Sequence, residues 1–294
     1  MYPRPTHCAL LLAVAVVAGC KSDRPAADAA PPAGASTGGA AVAAAPRAIT
    51  VTATDYKLEM PARIPGGLVT QNLVNHGQEL HQARLVRLED GKTAADFEAA
   101  MKRPGPPPAW AKFVGGPNAV APRQETASTS VLAPGHYVAV CLIPGPDEIP
   151  HLMKGMIQPF EVTPGASAAG DVLPAAQDTV RLVDYSFEFS RPLTAGRHTI
   201  VVENAGPQPH ELVLLRLAPG KTLQDFGTWA TTGQMKGPPP AMPLGGIGVM
   251  DRDGRGEFSV ELTPGEYGVI CFVPDAKDGK LHLMHGMMQQ FKVG

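Results

Sequence analysis

The chain repeats itself. At an offset of 129, Asp184-Tyr185 falls under Asp55-Tyr56, and Asn204, Gly206 and His210 fall under Asn75, Gly77 and His81. Gly220-Lys221-Thr222 and Asp225-Phe226 match Gly91-Lys92-Thr93 and Asp96-Phe97 in the same register. The offset then drifts through a loop region. Pro238-Pro239-Pro240-Ala241 answers Pro106-Pro107-Pro108-Ala109, Gly245-Gly246 answers Gly115-Gly116, and Tyr267 and Cys271 answer Tyr137 and Cys141. Each copy is long enough to enclose its own core. We therefore divide the chain into 48–164 and 178–294, joined by a linker over 165–177.

Within a copy the pattern is that of strands. Gly (32) and Pro (31) are abundant while aromatics make up 5%, which suits short strands broken by turns. Leu68 to Val74 and Thr199 to Glu203 are apolar or β-branched. After each, a turn leads to a strand that the pattern starts at His81 or His210. Side chains alternate along a strand, so His81, Ala83 and Leu85 share one face, as do His210, Leu212 and Leu214. Tyr137, Ala139 and Cys141 form such a set too, and so do Tyr267, Val269 and Cys271, which puts each cysteine inward at a strand end. Short helices are predicted over Lys92 to Met101 and Thr222 to Ala230, each ended by the prolines beyond. The predicted fold is all-β: two tandem Greek-key β-sandwiches after a disordered N-terminal tether.

The N-terminus reads as a targeting segment. Arg4 precedes an apolar run from Cys8 to Ala18, too short to span a bilayer and suited to a signal peptide over 1–19. Val17-Ala18-Gly19-Cys20 resembles the bacterial lipoprotein signal, which implies lipidation of Cys20 and attachment by acyl chains. Residues 20–47 hold the modified cysteine and an Ala/Pro/Gly stretch with too few large apolar side chains to fold. The expected location is the bacterial cell envelope, lipid-anchored, on a periplasmic or extracellular face. A net charge of -2 gives no pull toward nucleic acid.

Of the four cysteines, only Cys141 and Cys271 remain for the folded part. Exported thiols either pair or serve some chemistry. These two occupy equivalent places in two copies, so each is expected to serve its own. Each opens the same pattern, C-x9-H-x4-M from Cys141 through His151 to Met156, and C-x10-H-x4-M from Cys271 through His282 to Met287. Four histidines recur between the copies, His81, His151, His210 and His282; His76, His136, His198 and His285 do not. Two imidazoles, a thiolate and a thioether are the donors of a blue-copper site.

Both copies thus resemble cupredoxin domains. In that family one histidine comes from an upstream strand, and a cysteine, a second histidine and a methionine follow on one loop. The resemblance implies one copper per domain, a first site of His81, Cys141, His151 and Met156 and a second of His210, Cys271, His282 and Met287. Asn75 and Asn204 are organisers of the histidines by the same analogy. Multicopper oxidases and nitrite reductases carry a histidine beside the cysteine; here the neighbours are Val140 and Leu142, and Ile270 and Phe272. The sequence is accordingly read as an electron carrier or binding protein, not an enzyme. Its expected partners are a redox or copper-exchange protein and, through the anchor, a membrane. Copper trafficking or resistance, and a metal-free docking or structural module, are the alternative readings.

Overall fold

A computed structural model of the chain describes residues 46–165, 172–232 and 235–294. Cys20, the signal segment and nearly all of the tether lie outside these residues, as does part of the linker. The first repeat contains β1 (Arg47–Thr54), β2 (Lys57–Glu59), β3 (Arg63–Pro65), β4 (Gly67–Asn75), β5 (Arg84–Leu88), α1 (Ala94–Met101), β6 (Ala111–Phe113), β7 (Glu125–Leu132), β8 (Gly135–Val140) and β9 (Ile157–Thr163). The second contains β10 (Asp178–Val183), β11 (Ser186–Phe189), β12 (Gly196–Asn204), β13 (His210–Leu217), α2 (Leu223–Thr231), β14 (Ala241–Met250), β15 (Arg255–Leu262), β16 (Gly265–Ile270) and β17 (Met288–Val293). This is the strand-dominated architecture of facing sheets expected from the pattern.

Each repeat has a private sheet, ordered β3-β9-β8-β5-β6 in the first and β14-β13-β16-β17 in the second. The facing sheet is shared. Eight strands run β11-β10-β12-β15-β7-β4-β1-β2, and the repeats meet where β15 pairs antiparallel with β7, Phe258 opposite Ser128. Alternation along β4 is strict: every second residue is buried. Tyr137, Ala139 and Cys141 pack in the first core with Leu73 and Leu85. Val138 and Val140, on the other face of β8, pack with Phe97 of α1. Both private sheets are thus covered on two sides, which explains continuous apolar runs where a one-sided strand would alternate.

Two local expectations need correction. In the first repeat the strand does not begin at the histidine. His81 makes only an isolated bridge to Val120, and β5 starts at Arg84, because Ala83 N and Leu85 N bond to Pro117 O and Gly115 O in an irregular ladder. The helices begin at capping boxes, Thr93 with Asp96 and Thr222 with Asp225. Pro104 stops the first soon after Met101. The second stops at Thr231, well short of Pro238, so no proline ends it.

The matched Gly-Gly pairs explain themselves at the junction. Gly115 N donates to Val249 O and Gly248 N to Gly116 O, each at 2.8 Å, so the two segments zip against each other. Gly116 and Gly246 have φ of 92° and 114°. A Cβ there would lie 2.3 Å from Ala83 O and 2.2 Å from Leu212 O. Asn118 straps the junction: its Nδ2 donates to Glu211 Oε2 (3.0 Å) and Ile247 O (2.9 Å), and its Oδ1 accepts from Ala119 N. Replacing Asn118 by Ala takes a donor from Ile247 O and the acceptor from Ala119 N at the buried junction, at about 1–3 kcal/mol each. Asn118→Ala is expected to lower unfolding stability by about 3 kcal/mol, read from the urea midpoint at unchanged m-value.

Candidate metal centres

Two buried groups of donors stand at matched places in the repeats. His81, Cys141 and His151 form one, and His210, Cys271 and His282 the other; in each, the ligand atoms lie within 4.8 Å of one another. All six side chains are fully buried. Each cysteine is the residue immediately after a core strand, β8 or β16. The loop then turns back: Leu152 N donates to Cys141 O, and Leu283 N to Cys271 O. A single turn of 3-10 helix, His151–Lys154 or His282–His285, brings the second histidine over the cysteine. Cys141 Sγ lies 3.4 Å from His151 Nδ1, and Cys271 Sγ lies 3.5 Å from His282 Nδ1.

The methionines close the same loops. Met156 N donates to His151 O and Cys141 N to Met156 O; Met287 and Cys271 repeat both bonds. Both thioethers are buried, Met156 in the core cluster of Cys141 and Met287 in that of Cys271. No disulfide joins the two cysteines.

What orients the rings was not read from the sequence. His81 Nε2 donates to Asp55 Oδ1 (3.0 Å) and His210 Nε2 to Asp184 Oδ1 (2.7 Å). His151 Nε2 donates to Glu79 Oε2 at 2.7 Å. A carboxylate only accepts, so the proton sits on Nε2 and the lone pair on Nδ1. The Nδ1 atoms are the ones that converge. His81 Nδ1 is buried with no partner, and the Nδ1 atoms of His210 and His282 face each other at 3.0 Å. Asn75 and Asn204 do not touch the rings, contrary to the analogy. Their amides hold the turn backbone, Asn75 bonding Glu79 O and Gly77 N, Asn204 bonding Gln208 O and Gly206 N. That turn passes so close to the ring that a Cβ on Gly77 would lie 2.5 Å from His81 Nε2, and one on Gly206 2.7 Å from His210 Nε2.

A signal for Asp55 and Asp184 was present, because Asp-Tyr recurs in both copies. Glu79 carried none, since repeat two has Gln208 there. The two sites differ accordingly. His282 Nε2 lacks a hydrogen-bond partner and stands 3.9 Å from Asp275 Oδ2. Asp275 instead accepts from Tyr185 (2.5 Å) and Gln208 (2.9 Å), which hold its carboxyl well below the usual range. Tyr56 makes the corresponding bond to Glu79 at 2.9 Å.

Burial sets the protonation states. It pushes the Cys141 thiol up to about 11 and the Cys271 thiol up to about 12. Backbone amides of Gln82 and Ile143, and of Glu211 and Val273, act the other way on the sulfurs. Burial pulls His81 and His210 below the ordinary imidazole value, and His282 down to about 4. For Asp55 and Asp184 burial acts upward, but the hydrogen bonds they accept hold both below the ordinary carboxyl value. Burial thus favours the neutral imidazole at His81, His210 and His282, and each thiol becomes a ligand by releasing its proton.

Soft sulfur beside two imidazoles, with three of the four rings fixed by carboxylates behind them, is a donor set that copper fits. No family model and no curated protein matches the chain. Among solved structures, dithionite-reduced auracyanin from the photosynthetic bacterium Roseiflexus castenholzii is 22% identical, with 41% of this chain and 100% of that chain covered at a TM-score of 0.30. A copper-containing nitrite reductase from Thermus scotoductus is 12% identical over 85% of this chain and 62% of that one, at a TM-score of 0.25. A blue copper oxidase from Nitrosomonas europaea is 14% identical over 84% and 85%, at 0.26. The expectation that the chain is not an enzyme is corrected here. Structures that cover most of its length carry enzyme titles, and an architecture shared by carriers and enzymes excludes neither.

Two outcomes follow from the geometry. Asp55→Ala and Asp184→Ala should each weaken copper binding at their own site by about 10–100-fold in a competition titration. The metal-free chain should lose stability as pH falls from about 6.5 through about 4. The unfolded chain takes up protons on histidine near 6.5, which His282 refuses until about 4, so ΔG of unfolding rises with pH across that window. A chemical-denaturation series over pH reads it, and a flat profile would contradict the neutral, buried His282.

Proposed function

We propose that the chain is an electron-transfer protein that binds one copper in each repeat, through His81, Cys141, His151 and Met156 and through His210, Cys271, His282 and Met287. One observation carries this reading. The same buried His–Cys–His arrangement is built twice, with Nδ1 atoms inward and carboxylates behind the rings. A metal-free module gains nothing from burying the partnerless His81 Nδ1 among the donors, which costs about 1–3 kcal/mol.

When bound, copper supplies one-electron exchange between Cu(II) and Cu(I), which a His, His, Cys trigonal set accommodates in both states. The chain's own residues do the rest. Asp55, Glu79 and Asp184 hold three rings in one tautomer and orientation. The loop bonds keep cysteine, histidine and methionine together whether or not metal is present. Tyr56, edge-on to His151 at 5.3 Å, and Tyr185, edge-on to His282 at 5.4 Å, shield the rings from water. Small rearrangement is what fast electron exchange requires.

The further parts of this reading are a lipid anchor at Cys20, an envelope location, and a redox protein as partner. The lipoprotein-like Val17-Ala18-Gly19-Cys20 supports the first two. Among the described residues no helix is long and apolar enough to cross a membrane.

Titration of the purified chain with Cu(II), followed by visible absorption, tests the proposal. A strong thiolate-to-copper band should grow to saturation near one copper per repeat and fall by about half in Cys141→Ser or Cys271→Ser. Cyclic voltammetry should then show reversible one-electron waves. Absence of the band would sink the proposal. A band that disappears irreversibly on reduction, with copper passing to a Cu(I) chelator, would favour the trafficking reading.

A further inference from the structure

Between the repeats lies a buried ion pair that breaks their symmetry. Arg84 Nη2 donates to Glu211 Oε2 at 2.7 Å, and the Glu211 side chain is fully buried. Gln82 stands at the place of Glu211 in repeat one, and Val213 at the place of Arg84 in repeat two, so this pair has no symmetry mate. Its two ends lie against different centres. Glu211 follows His210; its backbone amide points at Cys271 Sγ, and its carboxylate accepts from Phe272 N at 3.2 Å. Arg84 lies on β5 three residues after His81, and its backbone is paired with Val140, the neighbour of Cys141.

We propose that the Arg84–Glu211 pair acts as a buried dipole that splits the reduction potentials of the two centres, holding the repeat-two centre below the repeat-one centre. The inference rests on the copper reading above. An oxidised centre carries one more positive charge than a reduced one, so a nearby carboxylate favours oxidation and a nearby guanidinium favours reduction. In a dry junction these effects are several times larger than in water.

The remaining charges do not cancel the difference. The first centre faces Asp55 and Glu79, with Lys154 over the Tyr56 ring at 4.4 Å. The second faces Asp184 and Asp275, with His285 stacked on Tyr185 at 4.8 Å in place of that lysine. Two carboxylates stand at each centre, and the outer groups are themselves paired, Lys154 with Asp147 at 2.8 Å and His285 with Asp278 at 3.1 Å, so Arg84 and Glu211 remain as the charged difference between the centres. One electron arriving at the repeat-two centre would then pass to the repeat-one centre, oxidising the former and reducing the latter with no proton or bond exchanged.

The test is a spectroelectrochemical titration of the copper-loaded full chain, with Cys141→Ser and Cys271→Ser isolating each band. The repeat-one band is expected to bleach at the higher potential. In the Arg84→Met/Glu211→Met double variant, which removes both charges at once, the gap should narrow from both sides. Glu211→Gln, which keeps the shape and removes the charge, should raise the repeat-two potential more than the repeat-one potential and serves if the double variant does not fold. Equal potentials in the parent, a reversed order, or a gap unmoved by these variants would overturn the dipole while leaving the copper reading intact. No copper band in the parent would overturn both.

Discussion

Everything at the two centres depends on a proton held in place. The bond from a histidine Nε2 to a carboxylate fixes the tautomer, and with it the nitrogen that faces the cysteine. Without Asp55 or Asp184 the imidazole could rotate or exchange tautomers, and the convergence of Nδ1 atoms would be lost. The fold is arranged to protect that bond. Asp55 and Asp184 stand just beyond β1 and β10, beside the strands that precede the histidines. Gly77 and Gly206 leave room for the ring against the turn, and Asn75 and Asn204 pin the turn itself.

The repeats are not beads on a string. They share one eight-stranded sheet, and their glycine-rich segments zip across the junction. This fusion places a strand of each repeat, β5 and β13, where an arginine of one can reach a glutamate of the other. A buried ion pair of this kind is weak as a source of stability, because desolvation offsets most of its attraction. Its fixed charges are of more consequence to whatever redox groups lie on either side. The repeat sets out two similar sites, and differences such as Gln82 against Glu211 make them unequal.

Much of this was legible in the sequence because it was written twice. Recurrence picked His81, His151, His210 and His282 from nine histidines, and strand alternation placed Cys141 and Cys271 inward at strand ends. The carboxylates behind the rings were harder to see. Asp55 and Asp184 recur, but nothing local says that a residue 26 positions upstream will meet the ring; only the pairing of β1 with β4 brings them together. Glu79 and Asp275 are not equivalent residues at all, so no repeat argument could find them. The junction was invisible for the same reason, since Arg84 and Glu211 are 127 residues apart and each lacks a counterpart. The irregular start of β5 was missed because the ladder around His81 runs through loop carbonyls that carry no side-chain signal.

The central claim is that the chain itself prepares a donor set that metal enters with little movement. X-ray absorption at the copper edge, on the loaded chain in both oxidation states, tests it most directly. The account requires nitrogen donors and one short sulfur contact at each copper, nearly unchanged between Cu(II) and Cu(I). A shell of nitrogen and oxygen without sulfur, or one that reorganises on reduction, would contradict it.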